Sequence, residues 1–242
     1  MTKLNGKNPS TNPRSNLPVA IIGAGAVGLA AAAHLIQRGE TPLVFEMDAN
    51  VGSNVRQWTH VRLFSPWEYA KDAASVALLE KAGWVAPHDA DLPTGGDLVT
   101  KYLEPLAATP ELAPHIHFNS RVVGVSRYRT DKLMDNGRDD TPFLLQVEED
   151  GVPQRYLAKA VIDASGVFAT PNPVGSAGLS AAGEAANKGK IFYGIPDIKG
   201  THLERYANKT IAVVGGGHSA INALLDLGDI QENHPATQIL WI

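Results

Sequence analysis

The residues best placed to do chemistry are glycines. The run Gly23-Ala24-Gly25-Ala26-Val27-Gly28 has the spacing G-x-G-x-x-G. In such a run the first glycine permits a tight strand-to-helix turn. The second lets a diphosphate approach the backbone with no Cβ in the way, and the third lets the helix pack closely on the strand. The following helix would present unpaired N–H groups and the positive end of its dipole to that anion. Glu46 lies 18 residues past Gly28, at the expected end of the next strand. A carboxylate there accepts hydrogen bonds from ribose hydroxyls and disfavours a 2′-phosphate, so the unit suits FAD or NAD rather than NADP. The bland alternative is a glycine-rich turn with no ligand. The strand before it, the helix after it and the acid in place argue against that.

A second run, Gly215-Gly216-Gly217-His218-Ser219-Ala220, has the spacing G-x-G-x-x-A, a small-residue variant of the same turn. Two dinucleotide sites in one chain imply electron transfer between two cofactors, FAD on the first unit and NADH or NADPH on the second. His218 either touches the nicotinamide nucleotide or only stands in solvent. No side chain offers itself as a catalytic acid or base. His115 and His117, two apart on an expected strand, have no third ligand close in sequence, so no metal site is expected. Ser165 lacks the G-x-S-x-G frame of a nucleophile elbow, and Asp163 reads as a residue that orients the turn after it. The 242 residues include no cysteine. That excludes a disulfide, a CxxC pair and a cysteine-ligated zinc, and argues against disulfide reduction by a thiol pair at a flavin. Trp58, Trp67, Tyr69 and Trp84 read as core or lid packing.

Elements to position these residues are legible around them. Val19 to Ile22 is a short apolar run typical of a buried parallel strand. Val27 to Arg38 is rich in Ala and Leu and stops at Gly39, a helix signature. Pro42 to Glu46 is a second buried strand, and the resulting βαβ crossover should be right-handed. Residues 50–67 look irregular. Helical patterns follow at 69–82 and 97–108, the second with Asp97 as expected N-cap after Gly95-Gly96. Residues 116–129 and 143–161 read as strands around an exposed polar loop, 130–142. Ala160 to Asp163 is another buried strand, and 169–190 a linker. A second cycle follows: strand 210–214, glycine turn, helix 220–227, and a strand from Thr237 to Ile242. The expected class is α/β: a Rossmann-like FAD-binding domain with a β-meander insertion, followed by the start of a second Rossmann-like nucleotide-binding domain. Expected boundaries are a disordered leader at 1–17, the FAD domain at 18–190 and an incomplete NAD(P) domain at 191–242.

A net charge of −4 leaves no basic field to hold nucleic acid or anionic lipid. No apolar run approaches the roughly 20 residues that cross a bilayer, and the polar N-terminus lacks the apolar core of a signal peptide. A cytoplasmic location is the default expectation.

Residues 18–242 resemble the two-dinucleotide-binding-domain flavoproteins and, within them, the flavin-containing and Baeyer–Villiger monooxygenase relatives. The resemblance rests on GAGAVG with Glu46, on the strand ending VIDASG, on VVGGGHSA, and on the linker before that unit. It implies that Ala164, Ser165 and Gly166 match the family's segment returning the chain toward the flavin. It implies that Val122 contacts the adenine through its backbone, with Ile116, Phe118, Ser120 and Val122 alternating along one strand. It also implies that the segment Ser53 to Phe64 passes beside the flavin, with Asn54, Arg56, Gln57 and Trp58 as cofactor contacts and Arg56 neutralising a phosphate. The monooxygenase linker pattern F-x-G-x-x-x-H-x-x-x-[YFW] is half kept. Phe192 and Gly194 match its start, Ile198 stands where histidine is expected, and His202 and Tyr206 match its end four residues late.

The resemblance implies hydride transfer from NAD(P)H to FAD and electron transfer on to oxygen, with monooxygenation of a small organic substrate. Two alternatives stay open: an NAD(P)H–flavin reductase or oxidase, and an FAD-binding module without turnover. The family continues beyond the last strand seen here, so a C-terminally truncated chain is expected. Self-association or completion by another chain would cover its open sheet edge.

Overall fold

The computed structural model describes residues 16–175 and 178–242. The expected leader, 1–17, lies outside the described residues except for Asn16 and Leu17. The chain forms two compact units. The first comprises residues 16–53, Lys71–Ala86 and Lys101–Gly166; the second comprises Asn54–Ala70, Pro87–Thr100 and Val167–Ile242.

The first unit is built on a four-stranded parallel sheet. Its strands are β1 (Val19–Ile22), β2 (Pro42–Phe45), β3 (Ile116–His117) and β7 (Ala160–Asp163), in the order β3-β2-β1-β7. In register, Ile22 of β1 lies between Phe45 and Asp163, so the C-terminal ends of the central strands align. The helix Ala26–Gln37 contacts β1 and β2 and buries Leu29, Ala32 and Ala33. A second helix, Ala73–Lys81, packs on it. Asp72 caps that helix by accepting from Ser75 N at 2.9 Å, and its other oxygen lies 2.9 Å from His34 Nε2. One side chain thus starts one helix and ties it to the other.

A meander of β4 (Ser120–Arg127), β5 (Phe143–Glu149) and β6 (Val152–Ala158) forms a separate antiparallel sheet. Leu145, Val147 and Ala158 of the meander pack with Ala20 and Phe45 of the parallel sheet. Each fully buried side chain of the size of Phe45 or Leu145 contributes about 1.5–3 kcal/mol.

The second unit holds a two-stranded parallel sheet, β8 (Thr210–Val213) with β9 (Gln238–Trp241), and the helix His218–Gln231. Ile211, Val213 and Ile239 pack against a cluster with Ala223, Leu227, Ile230, Ile198 and Tyr206. Leu240 and Ile242 are exposed. Backbone hydrogen bonds join residues 61–68 to 89–95: Leu63 N to Pro93 O, Trp67 N to Asp91 O, and Gly95 N to Val61 O.

Several expectations are corrected. Residues 116–129 are not one strand. Asn119, at φ +51°, breaks the chain between β3 and β4, which belong to different sheets, so the alternation from Ile116 to Val122 does not lie on one strand. His115 sits in a 3-10 turn, not on a strand face shared with His117. The 50–67 segment carries a helical turn, Ser53–Arg56, and its Arg62 forms a β-bridge with Thr94. Asp97 is not the N-cap. Thr94 caps the helix that opens at Gly95, accepting from Asp97 N at 3.0 Å, while Asp97 Oδ2 accepts from Thr94 N at 2.9 Å. This reciprocal pair is a capping box. Glycine is needed at position 95 inside the helix because a Cβ there would stand 2.6 Å from Trp58 O.

Candidate functional site

The first glycine turn follows β1. Gly23 takes φ +98°, a conformation open to glycine, and its N–H donates to Phe45 O at 2.8 Å. Gly25 is the N-cap of the helix, in ordinary extended backbone at φ −79°. Two of the three glycines are required by the protein's own packing. A Cβ at Gly23 would lie 2.8 Å from Ala164 O, and one at Gly28 would lie 1.9 Å from Gly23 O. Gly25 differs. Among the described residues, a Cβ there would meet no atom within 4 Å. Neither backbone conformation nor internal packing demands glycine at that position. The open space above Gly25 would admit a diphosphate close to the backbone, so the cradle fits a dinucleotide. Ala26 and Val27 open the helix beside it and are both exposed.

Glu46 follows directly on β2 and is buried, 6 % exposed. Its Oε2 accepts from Ala24 N at 2.8 Å, inside the glycine turn. Its Oε1 accepts from Asp48 N at 3.2 Å and Ser53 Oγ at 3.1 Å. A carboxylate offers about four acceptor positions, so capacity remains for a ribose hydroxyl. Gly52 N donates to Ala24 O at 3.1 Å, closing the 47–53 loop onto the same turn.

Ala164, Ser165 and Gly166 follow β7 next to the turn, where Ala164 N donates to Ile22 O at 2.9 Å. Asp163 orients them. Its Oδ1 accepts from Ser165 Oγ at 2.6 Å and Ser165 N at 3.1 Å, and these bonds hold its carboxyl below the ordinary Asp range. Val122 pairs with Val147 in the meander, beside a register shift that ends at Gly124. Its side chain is half-buried against the core around Phe45.

Asn54, Arg56, Gln57 and Trp58 belong to the second unit, as do both partners of each contact that follows. Gln57 is exposed, and Asn54, Arg56 and Trp58 are half-buried. Trp58 is fixed by Gly95, whose missing side chain makes room for the indole edge. The second glycine turn has Gly215 at φ +116° and Gly217 as N-cap, with Ile221 N donating to Gly217 O at 3.1 Å. His218, the first helical residue, packs its ring on Phe64 with centroids 4.5 Å apart. Ser219 is exposed and Ala220 half-buried. In the linker, Phe192 and His202 meet edge-on at 5.2 Å, Tyr206 is buried, and Ile198 is a core residue. His202 therefore keeps company with Phe192 although the spacing is four residues long.

Two groups escaped the sequence reading. Trp241 Nε1 donates to Gly215 O at 2.8 Å, joining the end of β9 to the glycine turn. The signal was an aromatic at the end of the strand after a glycine unit. The other group is His117, Glu149 and Tyr156. Tyr156 OH donates to Glu149 Oε2 at 2.6 Å, and His117 Nδ1 lies 3.0 Å from Glu149 Oε1. Burial, then the Glu149 carboxylate, pushes the Tyr156 phenol up to about 12. Glu149 and Tyr156 belong to neighbouring strands of one hairpin, seven residues apart, and His117 reaches them from 32 residues earlier on the other sheet, so no local pattern announces the cluster. Among the described residues no group of three or more His, Asp or Glu side chains could hold a metal ion. None of the described helices is long and apolar enough to cross a membrane.

Comparison with known proteins places this geometry. The bacillithiol disulfide reductase Bdr (YpdA) from Bacillus cereus superposes with a TM-score of 0.59 at 21% identity, over 93% of this chain and 58% of that one. A mutant of the flavin monooxygenase from Stenotrophomonas maltophilia gives a TM-score of 0.57 at 20% identity, over 93% and 56%. OTEMO in complex with FAD and NADP gives 0.54 at 18% identity, over 88% and 37%. These likenesses show the fold. The chain spans between about a third and three-fifths of the length of those structures. No curated protein matches the sequence. A family model for pyridine nucleotide-disulphide oxidoreductases matches residues 20–233, both glycine turns and everything between them, and the chain belongs to that family.

Proposed function

We propose that this chain is an FAD-dependent oxidoreductase, with FAD on the first glycine turn and NADH or NADPH on the second. The observation that carries the reading is Gly25, a glycine that neither backbone conformation nor packing requires. Family membership and the OTEMO complex with FAD and NADP support it. The chemistry supplied by bound FAD is hydride acceptance from the nicotinamide and electron delivery to oxygen, monooxygenase-like on a small organic substrate. Gly23, Gly25 and Gly28 shape the cradle for its diphosphate, and Ala26 and Val27 supply the helix N-terminus. Glu46 accepts from the ribose, and the Val122 backbone meets the adenine. Ala164, Ser165 and Gly166 line the flavin side. Asn54, Arg56, Gln57 and Trp58 add cofactor contacts, Arg56 as the phosphate partner. Gly215, Gly217, His218, Ser219 and Ala220 receive the nicotinamide nucleotide.

Monooxygenation is favoured over disulfide reduction by two observations. The 242 residues contain no thiol, and Phe192 and His202 of the monooxygenase-type linker are in ring contact. The working domain division is 18–190 for FAD and 191–242 for the nicotinamide part. The partners proposed are oxygen and a small molecule, with neither nucleic acid nor membrane, in the cytoplasm. A second reading rests on the exposure of Val214, Leu240 and Ile242 around β8 and β9. There the chain is an FAD-binding module whose nicotinamide part is completed by more polypeptide, a second copy or another chain, without turnover alone.

Anaerobic reduction by NADH and by NADPH, followed by oxygen, tests the proposal. Purified protein loaded with FAD should bleach with at least one nucleotide and recover colour on oxygenation. Protein that stays colourless with excess FAD refutes FAD binding. Bound flavin that neither nucleotide bleaches favours the module.

A further inference from the structure

The two glycine turns solve one steric problem differently. In the first unit Gly23 N donates to Phe45 O; in the second Gly215 N donates to Ile242 O at 2.9 Å. Phe45 and Ile242 therefore hold equivalent places, and so do Val44 and Trp241 (Val44 pairs with Ile21, and Trp241 with Val213). Gly28 and Ala220 are the equivalent third small residues. At Gly28 a Cβ would stand 1.9 Å from Gly23 O, an impossible contact that explains the glycine. Ala220 carries that Cβ, so the carbonyl of Gly215 cannot point where that of Gly23 points. It is instead engaged by the indole N–H of Trp241 at 2.8 Å. Val44 is fully buried, whereas the indole is 60 % exposed at the C-terminal end of β9. In folds of this class that end of the sheet faces the ligand.

We propose that Trp241 is a positioning residue for the second nucleotide. Its N–H holds the Gly215 carbonyl clear of the Ala220 methyl and so sets the conformation of the turn that receives the diphosphate. Its ring forms a wall beside that turn. The inference rests on the second turn binding NADH or NADPH, as argued above. It adds that the third small residue and the strand-end aromatic act as a pair.

Trp241→Phe keeps a ring and removes the donor. Binding of NADH and NADPH to the full FAD-loaded chain, its flavin reduced beforehand and kept anaerobic so that no hydride is transferred, is read from the fluorescence of the reduced nicotinamide. Amide hydrogen exchange of residues 215–221 is measured without nucleotide. W241F should weaken nucleotide binding roughly tenfold and accelerate exchange across the turn. The double variant W241F/A220G removes the methyl and should recover most of both losses, because the carbonyl can then relax as Gly23 does. Parent-like binding and exchange in W241F overturn the inference, as does a double variant no better than W241F. A parent chain that binds neither nucleotide overturns the nucleotide assignment and the ligand half of this inference. The exchange data still judge the Trp241–Ala220 pairing by themselves.

Discussion

Gly25→Ala should separate cofactor binding from folding. The residue is an N-cap at φ −79° and ψ −175°, a conformation alanine adopts freely, and its Cβ would meet no described atom within 4 Å. Alanine is a poorer N-cap than glycine, by up to about 1 kcal/mol. It also restricts the unfolded chain, which favours folding by about 0.4–1 kcal/mol. These terms nearly cancel, so the stability of the FAD-free protein in urea should change by under about 1 kcal/mol. A diphosphate packed on that turn would meet the new methyl as an overpacked contact costing about 1–3 kcal/mol. At 1.4 kcal/mol per tenfold, FAD affinity should fall roughly 5- to 140-fold in a titration followed by flavin absorbance. Gly28→Ala is the contrast. Its Cβ would collide with Gly23 O at 1.9 Å, so it should lower stability by about 1–3 kcal/mol with no FAD present. The reasoning is refuted if G25A binds FAD like the parent, or if it unfolds as readily as G28A.

Glu46→Gln replaces an acceptor pair that takes three donors. The amide NH2 must then face at least one of them, so stability without FAD should drop by about 1–3 kcal/mol in thermal or urea unfolding. Glu149 is held below the ordinary Glu range by hydrogen bonds from Tyr156 first and then His117. Its folded value is depressed, so its contribution is present above the unfolded pKa of about 4.3. That contribution is lost as pH falls through the folded value. Tyr156→Phe should therefore flatten the acid limb of stability against pH in urea titrations, and should remove a phenol that otherwise ionises near 12 in alkaline absorbance. Gly95→Ala would press a methyl onto Trp58 at 2.5 Å. It should cost about 1–3 kcal/mol and shift the tryptophan emission of the folded protein.

Much of the fold was legible because short-range rules dominate it. The glycines at 23, 25 and 28, the apolar run 19–22 and the Ala-rich helix each follow from local sterics and burial, and each lies where its sequence says. The strand 116–129 misled because alternation carries no marker for Asn119, whose positive φ moves the chain into another sheet. Asp97 misled because Gly95-Gly96 reads as a turn. Only the approach of Trp58, 37 residues earlier in sequence, shows why glycine is needed inside a helix. In the candidate site, the acid at 46 was readable by spacing. Its partners Ala24 and Ser53, and the indole on Gly215, were not, because those contacts depend on side-chain direction across the turn. His117, Glu149 and Tyr156 meet only after two sheets have packed.

The chain passes between its two units at 53/54, 70/71, 86/87, 100/101 and 166/167. During synthesis, residues 54–70 and 87–100 can zip together as soon as both exist. Their remaining partners come far later: His60 Nε2 lies 3.2 Å from Ile195 O, 135 residues on, and Phe64 waits for His218. Contacts so distant in sequence slow folding, since loop closure must precede the contact. The first unit has all of its segments by Gly166, so it can be complete while the Trp58 segment still lacks its long-range anchors. A nascent chain would thus have its first glycine turn assembled, and exposed to FAD, well before the second turn exists. On the proposed function, FAD loading then precedes completion of the fold and stabilises it while synthesis continues.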